Sequence, residues 1–266
     1  MYAAHDFEKK KTYLFLLLSS IFLTNALLAE LIGVKIFSGE AIFGLPGAQI
    51  PVITGTKLDF NLSAGVIIWP VVFITTDIIN EYFGKAGVKK ISIITVALII
   101  YTFLIISIII KLPPAAFWLD INSKTPSGQP FDVNYAFNSI YRQGGGIIIG
   151  SVIAFIIGQI LDASVFHWLR NLTGRRMIWL RATGSTLISQ LVDSFVVLFI
   201  AFYVFSNWSL EQVFSVAFIN YLYKFFVAVA LTPLLYLVHF AIDHYLGFNK
   251  SNELIEAAAQ DESAVV

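Results

Sequence analysis

The chain has 266 residues, 58% of them hydrophobic and only 13% charged, with a mean hydropathy of +0.79. A soluble domain is nearer half apolar and a quarter charged, so the surplus, gathered in long runs, describes a polytopic membrane protein with little room for a separate soluble domain. A formal net charge of zero gives no basis for nucleic-acid binding, and the absence of Cys excludes disulfides, thiolate metal sites and cysteine nucleophiles.

The chain opens with Lys9, Lys10 and Lys11 ahead of an apolar stretch. That stretch runs past Ala29, contains Asn25 and has no small-residue cleavage pattern, so it reads as a retained first span rather than a signal peptide. Six segments are long and apolar enough to cross a bilayer: 12–32, 62–82, 88–111, 146–169, 182–206 and 210–241. The predicted fold is all-α, a polytopic membrane protein of six transmembrane helices over residues 1–249, with a polar cytoplasmic tail at 250–266. The acidic, Ala-rich composition of the tail predicts a frayed or disordered end. Trp69-Pro70, early in the second span, and Thr232-Pro233, late in the sixth, are candidate bends.

Positive charges alternate between connections. Lys9 to Lys11, then Lys85, Lys89 and Lys90, then Arg170, Arg175, Arg176 and Arg181 fall on every second one, with a thinner scatter on the others. The positive-inside rule then predicts both termini in the cytoplasm. Of the two long connections on the other side, 37–61 carries Gly44-Leu45-Pro46-Gly47, Pro51 and Gly55, the turn residues of a small hairpin or re-entrant cap. The other, 113–145, holds a short amphipathic stretch at 135–141. A lid and plain interfacial packing both account for these loops.

Polar groups inside the spans carry the functional signal, because each is costly in hydrocarbon unless something polar meets it. Gln159-Ile160-Leu161-Asp162 and Gln190-Leu191-Val192-Asp193 place a carboxamide and a carboxylate on one face of spans four and five. A carboxylate accepts two parallel donors, such as the ring N–H and exocyclic amine of a guanine-type base, and a carboxamide matches a lactam edge. Span six adds Asn220 and Lys224 one turn apart, with Asp162 and Asp193 as natural counter-charges for the lysine. The alternative there is an Asp–Lys bridge that only holds the bundle together. In span two, Asp77 reads as a site or gate, whereas Glu81 is expected in headgroup water, paired with Lys85 at i,i+4. Trp69 and Phe73 share the face of Asp77 and offer a stacking wall for a planar ring. Asn25, in span one, divides between a ligand contact and interhelical hydrogen bonding, and His239 is expected at the interface. No HExxH, GxSxG or Walker A pattern is present, so no enzyme, metal site, cofactor or ATP-driven engine is expected.

The same residues carry a resemblance. Trp69-Pro70 followed by Thr75-Thr76-Asp77-Ile78-Ile79-Asn80-Glu81-Tyr82-Phe83-Gly84-Lys85, then Gly158-Gln159-Ile160-Leu161-Asp162 with Val165-Phe166, then Ser189-Gln190-Leu191-Val192-Asp193-Ser194 resemble the queuosine precursor transporter family, also called the vitamin uptake transporter family. The resemblance implies uptake of 7-deazaguanine precursors of queuosine, such as 7-cyano-7-deazaguanine or its aminomethyl relative, across the cell inner membrane. It also implies a six-helix fold similar to the substrate-binding subunits of energy-coupling-factor transporters, without a recognised ATPase partner. Substrate contacts would fall on Asp77, Gln159, Asp162, Gln190 and Asp193, and extend to Asn25, Asn220 and Lys224. The expected partners are a deazaguanine-type base as small-molecule substrate and the lipid bilayer, with monomer and homodimer both open. Two other classes stand beside this one: a vitamin-binding subunit that docks on a separate ATPase module, and an intramembrane aspartyl enzyme, for which no nucleophile–base set is evident.

Overall fold

The computed structural model describes residues 2–33, 35–51, 57–142, 145–173, 177–205 and 207–260. Arg175 and Arg176 of the charge pattern, Gly55 of the first long connection and residues 261–266 of the tail lie outside the described residues. Helix α1 (Tyr2–Ile32) leads into a small outer element built of β1 (Ile36–Ser38), α2 (Gly39–Ile42), β2 (Ile50–Pro51), β3 (Lys57–Leu58) and β4 (Asn61–Ser63). A 3₁₀ turn, Ala64–Ile67, precedes α3 (Trp69–Ile109); short helices α4 (Ala116–Ile121) and α5 (Val133–Tyr141) follow. Then come α6 (Gly145–Thr173), α7 (Ile178–Leu198) with a π-helical extension Phe199–Val204, α8 (Leu210–Leu246) and α9 (Phe248–Ala259).

Five of these helices are long and apolar enough to cross a membrane. Their surfaces fit that solvent: Leu16, Ile93, Tyr101, Leu104, Phe226 and Leu237 are among many large apolar side chains left exposed. Water would penalise so continuous an apolar surface, whereas lipid accepts it. Inward faces follow helical periodicity. On α1, Leu14, Leu18, Phe22 and Ala26 recur every fourth residue and pack with Val72, Ile79 and Phe83 of α3 in one core.

Helix α3 is two helices in one element. At Gly84 the backbone takes φ 67 and ψ −174, outside helical geometry. Residues on either side show what the break does. Asn80 bonds to Asp162 and Ser92 to Gln159, both at 3.4 Å. An unbroken helix would hold Asn80 and Ser92 about 18 Å apart, yet their partners, three residues apart on α6, are separated by only about 4.5 Å along its axis. The chain therefore doubles back at Gly84, into a first arm (69–83) and a second arm (85–109). Only glycine adopts this backbone region cheaply. The first arm is buried on every side from Thr75 to Phe83; Asn80 and Glu81, on its polar face, meet polar groups of α6, α7 and α8 instead of water.

Two expectations change. Pro70 sits in the first turn of α3, where its missing N–H costs nothing, and starts the helix instead of bending it. Pro233 does lie inside α8. The tail is not frayed over Phe248–Ala259: α9 buries Ser251, Leu254, Ile255 and Ala258, and packs on α3. Spacings of three and four residues among these positions give it an inward face that average composition conceals.

The first long connection is a hairpin within a hairpin, as its turn residues suggest. β1 pairs antiparallel with β4, and β2 with β3. Glu40 ties the layers together: its carboxylate accepts from the backbone N–H of Phe60 (2.7 Å) and Ala48 (3.1 Å) and from the Ser38 hydroxyl (2.9 Å). Asp59 accepts two bonds from Gln49 across the loop. Its carboxylate approaches Gly47 so closely that a Cβ there would lie 2.5 Å from Oδ1.

Two outcomes follow for stability. Gly84→Ala forces a side chain into a glycine-only conformation, at a cost of about 1–3 kcal/mol. It should lower the melting temperature of the detergent-solubilised protein, whereas Lys85→Ala, at the exposed neighbour, should not; equal melting of both variants would contradict the reversal. In the outer element, the Phe60 N–H first, with the other donors, holds the Glu40 carboxyl down at about 2 from an ordinary 4.5. A depressed carboxylate stabilises the fold fully above pH 4.5 and loses that contribution as pH falls toward 2. Hydrogen exchange at the Ala48 and Phe60 amides, corrected for intrinsic rate, should accelerate across that window, and in Glu40→Gln should already be fast at neutral pH.

Candidate functional site

Helices α6 and α7 form the most extensive helix pairing in the molecule and run antiparallel. Their register is set by contacts at both ends of the polar motifs. Asp162 accepts from Thr186 (3.5 Å) and Ser189 (3.3 Å), while a Cβ on Gly158 would meet Asp193 at 3.9 Å. The two Gln-x-x-Asp stretches thus lie side by side in opposite directions. Read along the bundle axis, the order is Asp193, the two carboxamides Gln190 and Gln159, then Asp162. Two copies of one motif on antiparallel helices give a symmetric polar strip with carboxylates at its ends.

That strip faces the first arm of α3 across a narrow cavity. Gln159, Asp162, Gln190 and Asp193 all line it. So do Trp69 and Phe73, stacked with ring centroids 5.8 Å apart and planes at 22°. Phe155 of α6 adds a third ring, 6.3 Å from Trp69. Polar strip and aromatic wall therefore enclose one space.

The other predicted residues are distributed around this cavity. Lys224 of α8 bonds to Asp193 at 2.5 Å, with both side chains about a fifth exposed, and reaches the cavity through that carboxylate. Asn220, a turn before it, is half-buried and lines neither this cavity nor its neighbour. Asp77 lines a neighbouring narrow cavity, with Thr183, Thr186 and Thr232; Phe73 and Thr186 border both spaces. The Oδ1 atom of Asp77 is buried and has no hydrogen-bond partner among the described residues. Asn25 turns back on its own helix, donating to the Ile21 carbonyl at 2.8 Å, and stands apart from both cavities.

Glu81 departs most from expectation. It is 1% exposed and is not paired with Lys85 in headgroup water. Arg181 of α7 forks onto it, with Nη2 at 2.5 Å and Nε at 3.1 Å, and Arg170 of α6 stands 3.9 Å away. His239 of α8 faces the same carboxylate at 3.9 Å through Nε2, while its Nδ1 lies 3.0 Å from Asp243. Tyr82 and Ser251 both donate to Asp243, and Arg170 donates to the Ile255 carbonyl of α9. Arg170 and Arg181, read as loop charges, are thus core residues at 5% and 2% exposure, and His239 belongs to the same network. Glu81 is drawn inward because the arm that carries it is surrounded by helices. Local sequence does not mark this burial: Glu81 shares a polar face with Thr76, Asp77 and Asn80 at i,i+4 spacing, and the surrounding helices turn that face inward.

Sequence reasoning also passed over Asn80, Thr186 and Ser189 as site residues, although Asn80 and Ser189 stand in the motif blocks. All three donate to Asp162, at 3.3–3.5 Å.

Comparison with known proteins agrees with this architecture. Residues 63–238 match the family model described as "Putative vitamin uptake transporter". A "Probable queuosine precursor transporter" of Bacillus subtilis is 29% identical over 196 residues, covering 71% of this chain and 77% of the relative. A protein of the same description from Haemophilus influenzae is 29% identical over 181 residues, covering 66% and 68%. The "Queuosine precursor transporter" of Escherichia coli is 28% identical over 200 residues, covering 71% and 82%. No solved structure matches the chain. With the family model spanning the membrane core from the outer element to α8, this multi-pass chain belongs to the vitamin uptake transporter family, and is a transporter rather than an enzyme.

Proposed function

We propose that the chain imports a queuosine precursor, 7-cyano-7-deazaguanine or its aminomethyl relative, across the inner membrane, with both termini in the cytoplasm. The observation that carries this reading is the convergence of two Gln-x-x-Asp motifs and three aromatic rings on one cavity. The names of the bacterial relatives support the same cargo. In this reading the two arms of α3 are separate crossings, which makes six; an even number is what termini on one side require.

The carboxylates have different tasks. Bonds to Asp162 at 3.3–3.5 Å are long for hydroxyl and amide donors, so this loosely held group exchanges them for the ring N–H and exocyclic amine of a guanine-type edge. Gln159 and Gln190 complement the lactam side, and the ring slides against Trp69, Phe73 and Phe155. Asp193 is neutralised by Lys224, which suits the uncharged 7-cyano-7-deazaguanine better than its aminomethyl relative, whose amine is protonated at neutral pH. Below the cavity, the network of Glu81, Arg170, Arg181 and His239 closes the path toward the basic end. Passage by alternating access requires that layer to part.

Uptake of labelled 7-cyano-7-deazaguanine, in cells unable to make it, tests the assignment. Asp162→Ala and Asp193→Ala should each reduce uptake, normalised to the protein present in the membrane, by on the order of 10–100-fold, the equivalent of losing charge-assisted hydrogen bonds. Retained uptake in both variants would discard the site. A paired substitution separates site from scaffold. Lys224→Gln alone leaves Asp193 without its counter-charge and should lower membrane abundance. Combining it with Asp193→Asn should restore abundance but not uptake; recovery of both would reduce the pair to a structural bridge.

A further inference from the structure

A third and much larger space, of about 380 Å³, lies on the opposite side of Gln159, between the second arm of α3 and α6. Val88, Val96 and Ala163 are among its apolar lining, and its rim is formed by Ile93 and Ile160, 60% and 57% exposed. From Lys85 to Val96 it runs about 16 Å along the helix, roughly half the ~30 Å of a bilayer's hydrocarbon core. Its length is that of one leaflet. Lys85 and Lys89, one turn apart on one face, stand at the end nearest Gly84. No carboxylate lines the groove, and neither lysine has an ion pair among the described residues. The Ser92–Gln159 bond lies between this groove and the polar cavity, because Gln159 borders both.

An occupant must be apolar along its length and anionic at the lysine end. That excludes a flat polar base and selects a lipid by charge complementarity. We propose that this groove is a binding site for one anionic glycerophospholipid, with its phosphate between Lys85 and Lys89 and an acyl chain along the α3–α6 seam against Ser92 and Gln159. Basic pockets between transmembrane helices recognise lipid headgroups in this way.

Native mass spectrometry of the purified full chain, in micelles doped with phosphatidylglycerol or with phosphatidylcholine of identical acyl chains, tests the site. One phosphatidylglycerol should be retained on the order of tenfold more strongly than phosphatidylcholine. The double variant K85Q/K89Q should lose the preference, while Lys111→Gln, at the far end of the same arm, should keep it. Ile160→Trp, which fills the groove from its exposed rim, should weaken retention of both lipids. Equal retention of the two lipids by the unaltered chain, or a preference that survives K85Q/K89Q, would overturn the proposal. Because the chain has no Cys, Ile93→Cys supplies a further readout in phosphatidylglycerol vesicles. An unlinked monomer is expected, and efficient disulfide-linked dimers would assign the groove to a second copy of the chain instead.

Discussion

Glu81 is the charge around which the bundle is assembled. A carboxylate removed from water costs several kcal/mol even after relaxation, and stripping it of its partner would cost about 3–5. Two arginines and a histidine from three other helices meet that demand. Arg170 and Arg181 stand on either side of the short connection between α6 and α7, so pairing with Glu81 fixes that hairpin against the first arm of α3. The Arg170 Nη2 that faces Glu81 also donates to the Ile255 carbonyl, and Tyr82 donates to Asp243, which brings in α9 and α8. Four membrane helices and the C-terminal helix share one network. An arm buried on all faces is possible only because the charge at its end is satisfied by its neighbours.

With the first arm held, α6 and α7 present their repeated motif to it at a fixed height. The antiparallel register keeps the two carboxylates at opposite ends of the polar strip, about a helical turn apart, instead of side by side where like charges would repel. Lys224 compensates one of them, and weak bonds from hydroxyl and amide donors surround the other. The same geometry accounts for Gly158: it lies opposite Asp193 and lines the cavity, so the absence of a side chain there adds to the space between the helices.

Helix identity, the burial of the Gln-x-x-Asp faces and the Asp–Lys partnership were legible in sequence, because each rests on a local rule: apolar length, i,i+3 spacing, or the cost of a lone charge in hydrocarbon. The doubled-back hairpin of α3 was half legible. Two spans were evident, but the reversal is compressed into Gly84, where a single residue replaces the 83–87 loop that span limits implied. Glu81, Arg170 and Arg181 were misread for a shared reason. Charges near span ends are assigned to headgroup water by position alone, and only tertiary structure reveals that the surrounding helices have displaced that water. Asn25 illustrates the converse: its amide spends a donor on the carbonyl four residues back, a local bond that spacing cannot distinguish from an interhelical one.

The polar features also occupy separate depths, and in a membrane that separation has consequences. The strip on α6 and α7 and the charged layer at Glu81 are joined through the first arm of α3, since Asn80 donates to Asp162 while its own carbonyl and that of Glu81 accept from Arg170. Any displacement of the arm large enough to release Glu81 from its fork also moves Asn80 relative to Asp162. In the proposed transport cycle, cargo that takes over the bonds of Asp162 removes the Asn80 contact from the upper end of that linkage. The carboxylate that would recognise the base and the layer that closes the path are then coupled through neighbouring residues of one helix, without any longer route through the bundle.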